Sequence, residues 1–131
     1  MGLLDGLFGG QAAKEKRART DTDRAYLVAW ATSHEGVEGF VEPENSFNAV
    51  TIVLVDKDGS WTRRAPGGAR GAARVGREAA IPIYDVTKVG YPQRMRDHIE
   101  RARIRRRREL RAELLGGPGS GRGSSERDPV E

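Results

Sequence analysis

The segment AVTIVLV, residues 49–55, constrains the fold more than any other stretch of this chain. Its β-branched residues are bounded by polar ones, which is the signature of a strand. DKDG, residues 56–59, follows at once and reads as a hairpin turn, with Gly59 taking the positive φ that other residues resist. SWTRR is then the returning strand, and APGG breaks it. The next stretch, ARGAARVGREAA, reads as a helix of small residues in which Ala69, Ala72, Ala73, Gly76 and Ala80 share a face and let it lie close on a sheet. Arg70, Arg74 and Arg77 fall on another face of that helix, at i, i+4 and i+7.

The flanking segments extend the same pattern. AYLVAWAT, residues 25–32, is a nearly continuous apolar run of strand length, and it is expected to form a strand covered on both faces. GVEGFVEP reads as a second strand, with Val37, Gly39 and Val41 on one side and Glu38, Phe40 and Glu42 on the other; Pro43 stops it. IPIYDV is the last strand. The expected order is β-β-β-β-α-β-α. This is an α+β domain with a four- to five-stranded, mostly antiparallel sheet, covered by a short Ala-rich helix and a long Arg-rich C-terminal helix.

The chain leaves its last strand through Gly90, Tyr91 and Pro92 and passes directly into arginines. Pro92 suits the first turn of a helix, where its missing N–H has no partner in any case. Tyr91 is expected to pack its ring on the domain with its hydroxyl in water. Met95, Ile99 and Ala102 recur at helical spacing and dock one stripe, but the next position of that stripe is Arg106. The helix is therefore anchored for about three turns and then projects as a charged arm. The domain boundaries that follow are 1–23, an apolar turn (Leu3, Leu4, Leu7, Phe8, ended by Gly9 and Gly10) with a charged linker; 24–104, the globular domain; 105–115, the projecting helix; and 116–131, a Gly/Ser/Pro tail expected to be disordered.

Charge is concentrated in the same place. The 131 residues carry a net charge of +4, yet residues 92–115 alone hold nine arginines against four acids. Residues 25–91 are close to neutral, with seven basic and eight acidic side chains. There is no cysteine, which rules out disulfides and thiolate chemistry and fits a reducing, cytoplasmic setting. No apolar run approaches the ~20 residues of a membrane-spanning helix, and no signal-peptide pattern is expected.

VEGFVEP, TIVLVDKDGSWTRR and IPIYDVTKVGYPQRMRDH together resemble a group of short actinobacterial proteins. The resemblance covers roughly residues 25–98, and the Tyr-Pro-Gln-Arg-Met-Arg-Asp string is its most specific part. It implies no mechanism. Some members carry an oxidoreductase label, but a Gly-x-Gly-x-x-Gly turn after a strand is missing, and GGARGAAR follows an edge strand without the expected acidic partner.

Catalytic chemistry finds no foothold in the residues. His34 and His98 lack convergent metal ligands and read as structural, so neither a metal nor a cofactor is expected. Asp56 and Asp58 are turn residues, Glu42 and Glu44 flank Pro43, and Asp85, an acid inside an apolar strand, faces water if the strand alternates. Ser33, Ser46 and Ser60 sit in no nucleophile elbow.

The arginines remain. Asp97 is expected to pair locally with Arg94 and Arg101, whereas four adjacent arginines cannot all be paired locally. Arg94, Arg96, Arg101, Arg103, Arg105, Arg106, Arg107 and Arg108 are the candidate positive surface, continued by Arg70, Arg74 and Arg77. With Trp61 as the one plausible exposed aromatic, binding would be to the backbone of RNA or DNA, with little sequence reading. The alternative is a protein-interaction module, whose Arg-rich helix and N-terminal apolar turn dock on an acidic partner. A third reading is association with a membrane surface. Oligomeric state is left open by the sequence.

Overall fold

The computed structural model describes residues 2–127, with side chains described over residues 10–116. Its elements are α1 (Gly2–Ser33), β1 (Glu38–Glu42), β2 (Thr51–Val55), β3 (Trp61–Arg64), α2 (Gly68–Ala79), β4 (Ile83–Asp85), α3 (Val86–Val89) and α4 (Gln93–Arg127). The fold is α+β, with one four-stranded sheet in the order β3-β2-β1-β4.

The sheet is mostly antiparallel, as expected, with one parallel pairing: β1–β2 and β2–β3 are antiparallel, while β4 runs parallel to β1. The reason lies in the connection. β3 ends at one edge, α2 carries the chain across the sheet, and a strand entered after such a helical crossover runs parallel to the one left before it. β3 and β1 already share a direction, so β4 lies parallel to both.

The two central strands present alternate residues to two covered faces, which makes three layers. Ile52 and Leu54 of β2 face α1 and α2, in a core with Leu27, Ala31, Val37, Ala72 and Val75. Val53 and Val55 face the other way, with Phe40, against Met95 of α4, and Tyr91 and Ile99 close the rim. TIVLV is buried from Ile52 onward because both of its faces are covered.

AYLVAWAT is helical, not a strand. Leu27 and Ala31, at i and i+4, are its buried residues, and Ala25 and Ala29 face water. A short apolar run supports either structure, and here α2 and the sheet cover only one stripe of it. The Tyr26 hydroxyl meets Thr62 Oγ1 at 2.8 Å, and the Arg64 guanidinium lies 4.1 Å over the Tyr26 ring, so α1 is also tied to edge strand β3. Gly9 and Gly10 fall inside α1 instead of ending it, and α1 crosses the expected boundary at residue 23. The side chains of Leu3, Leu4, Leu7 and Phe8 lie outside the described set. So do those of the expected tail from 117 onward, and residues 128–131 lie outside the described residues altogether.

On α2 the buried face is Gly71, Ala72, Val75 and Gly76. The stripe is rotated from the expected one, leaving Ala69, Ala73 and Ala80 exposed, because Val75 is the one side chain on the helix large enough to fill the space over Leu54. No helix among the described residues is long and apolar enough to cross a membrane.

Candidate nucleic-acid interface

The root of α4 is held by residues that alternate on one face of β1. Glu38, Phe40 and Glu42 all point toward the α4 layer, as their spacing predicts. Each meets a different part of the GYPQRM segment: Arg94 takes Glu38, Met95 packs on Phe40 and Tyr91 takes Glu42. The carbonyl of Pro92 accepts the first helical bonds, from Met95 and Arg96, which sets the start of the helix.

Arg94 therefore points inward. Its Nη2 donates to Glu38 Oε1 at 2.8 Å, and its Nε donates to the Asp56 carbonyl at 2.7 Å. The expected pairing with Asp97 is absent; Asp97 instead accepts from Gln93 Nε2 at 2.9 Å. A charged group bonded to a carboxylate and to a turn carbonyl holds α4 to β1 and to the β2–β3 hairpin at once. Arg94→Met is expected to lower stability by about 2 kcal/mol, less than a fully buried ion pair would cost, because both partners retain some contact with water. Chemical denaturation checks this, and an unchanged midpoint would remove Arg94 from the role.

The Tyr91 hydroxyl is not left to water, the expected arrangement, but is bonded within the fold. It donates to the Glu42 carboxylate, which also accepts Arg63 Nε at 2.8 Å, Arg63 Nη2 at 2.9 Å and Thr51 Oγ1 at 2.6 Å. Burial alone would push this carboxyl up, but the bonds from Arg63, Thr51 and Tyr91, with the Arg63 charge, more than offset it and hold Glu42 at about 2. So acidic a group is a poor proton acceptor, and the cluster fastens the root of α4 to the sheet. Asp85 caps α3 through its Oδ1, which accepts from Thr87 Oγ1 and N and pulls the carboxyl below its ordinary value. His34 stacks on Trp30 with ring centroids 3.7 Å apart, and the His98 Cβ lies against the Gly59 turn.

Beyond Ile104 every α4 residue through Gly116 is exposed. Arg96 is bonded to Gln93, and Arg103 pairs with Glu100 at 3.0 Å. Arg101 reaches the Asp58 carbonyl only at 3.5 Å. Arg105, Arg106, Arg107 and Arg108 have no ion pair or hydrogen bond among the described residues. Arg70, Arg74 and Arg77 are exposed, but they do not continue this surface. They lie on α2, which covers the Ile52 and Leu54 face, so the sheet stands between them and α4.

Two apolar features stand on the surface, and only the first escapes the sequence reading. Phe47 is 93% exposed in the β1–β2 loop, whereas Trp61 is partly screened by Arg63, whose guanidinium lies 5.2 Å over its ring. An aromatic inside the polar, turn-forming run PENSFNA was the available signal for Phe47, with Asn45 Oδ1 accepting the Phe47 and Asn48 amides. The second is an apolar stripe on the arm, where Leu110, Leu114 and Leu115 are 53%, 74% and 79% exposed between Arg107 and Arg111. No protein-family model, no curated protein and no solved structure matches this chain.

Proposed function

We propose that the protein is an accessory domain that grips the backbone of DNA or RNA along the projecting part of α4, with little reading of sequence. The observation that carries this is the run Arg105–Arg108, which is exposed and free of ion pairs among the described residues, on a helix whose root is bonded to a nearly neutral body. A rod fixed at one end presents its charges without the entropy loss a loose tail would suffer on binding.

Replacing Arg105, Arg106, Arg107 and Arg108 with Gln is expected to weaken retardation of a random duplex about 100-fold at low salt. It should also flatten the slope of log affinity against log salt by roughly 3–4. Thermal stability should hardly change, because these side chains are exposed and make no ion pair or hydrogen bond among the described residues. A wild-type protein that fails to retard any duplex or RNA at low salt overturns the reading.

The leucine stripe favours a second reading, in which the arm seats in a groove of an acidic protein. Under that reading an acidic protein survives nuclease treatment in a pull-down and is lost in Leu110→Ser/Leu114→Ser. Under the first, that variant retards duplex as the wild type does.

A further inference from the structure

We propose that the groove between α1 and α2 is a second seat for a phosphodiester backbone, so that one molecule holds two duplex segments, one on each side of its sheet. The proposal rests on the nucleic-acid reading of α4 and extends it. The groove has a volume of 430 Å³ and is lined by Arg24, Arg70, Arg74 and Arg77, with Gly67, Gly71 and Ala73 as its small-residue floor.

The charges are unequal in the way a binding surface requires. Arg24 is held in place by the Pro66 carbonyl and by Asp21, and Arg74 is paired with Glu78 at 2.9 Å. Arg70 and Arg77 have no such partner among the described residues. They stand seven residues apart on α2, about 10 Å along its axis, which is close to three steps of rise along one nucleic-acid strand. Arg17, seven residues before Arg24 and thus on the same side of α1, carries the positive stripe beyond the groove.

The floor of glycines and alanine offers no apolar pocket for the anchor side chain of a protein partner. The leucines of α4 have no counterpart here. Ile52 and Leu54 back this groove, and Val53 and Val55 back α4, so one duplex cannot lie on both surfaces without wrapping the sheet edge. Two separate ligand segments are the simpler arrangement.

The test uses the full chain, one biotinylated 30-base-pair duplex and one fluorescent duplex of different sequence at low salt. Wild-type protein should carry the fluorescent duplex onto streptavidin. The variant Arg70→Gln/Arg74→Gln/Arg77→Gln should still retard single duplexes within about threefold of wild type, yet lose at least 90% of the co-capture. Retardation by wild type without co-capture overturns the second seat and leaves the α4 reading standing. Co-capture by the α2 variant equal to wild type also overturns it, because two arms of a dimer would then suffice. A wild-type protein that retards no duplex overturns both.

Discussion

Gly59→Ala is expected to destabilise the protein by about 4 kcal/mol, from two effects that act at one atom. Gly59 closes the DKDG turn at φ +93, a conformation that costs an L-residue about 1–3 kcal/mol. A Cβ there would also stand 2.0 Å from the carbonyl oxygen of Arg94 and 2.9 Å from the His98 Cβ. A flexible side-chain end could swing away, but the nearer atom belongs to the α4 backbone, and the Arg94 side chain ties α4 to this same turn through the Asp56 carbonyl. Relief requires lifting the helix root off the hairpin, which adds an overpacking cost of about 1–3 kcal/mol. Gly90→Ala isolates backbone strain, because Gly90 stands at φ 74 and ψ 173, a region essentially reserved for glycine, yet has nothing within 4 Å of the added carbon. Denaturant midpoints should show a loss of about 2–3 kcal/mol for Gly90→Ala, all of it backbone strain, and a larger loss of about 4 kcal/mol for Gly59→Ala. Equal losses would mean that α4 does not rest on the turn.

That contact marks the limit of what could be read from the sequence. The turn itself was legible: a strand of β-branched residues ending in DKDG leaves little choice, and Asp56 Oδ1 does bond the Asp58 and Ser60 amides. The two-sided pattern of β1 and the docking stripe of Met95 and Ile99 were legible for the same reason, since alternation and helical spacing are local properties. What lay over them was not. Arg94 meets Asp56 and Glu38, which stand 38 and 56 residues earlier, while Asp97 is only three residues away and drew the local assignment. AYLVAWAT is apolar on every side whether it is strand or helix, and the packing that buries Leu27 and Ala31 against α2 and the sheet is not a local property of the run. The parallel pairing of β4 and the position of Arg70, Arg74 and Arg77 across the sheet from α4 follow from the crossover, which no local spacing encodes.

Acid should loosen the protein through Glu42, and the sign follows from its partners. The carboxyl lies at about 2 in the folded chain against an ordinary value of 4.5, so the unfolded state binds a proton first. The stabilisation is fully present above pH 4.5 and is lost as pH falls from there toward 2. A depression of this size corresponds to at most about 3 kcal/mol, and solvent around the half-exposed Arg63 lowers the contribution to about 2 kcal/mol. Other carboxylates titrate in the same range, so the measurement is a difference between proteins. The unfolding free energy of wild type minus that of Glu42→Gln, by urea denaturation, should shrink by about 2 kcal/mol between pH 6 and pH 2. Tyr91→Phe removes one of the three donors and should give a smaller pH-dependent loss, because Arg63 and Thr51 still hold the carboxylate. A difference between wild type and Glu42→Gln that stays constant across that range would show that Glu42 is not held as an anion. Because Tyr91 sits two residues before α4, the acid-weakened bond lies at the root of that helix. Protease cleavage between β4 and α4 should therefore rise below pH 4 before global unfolding begins.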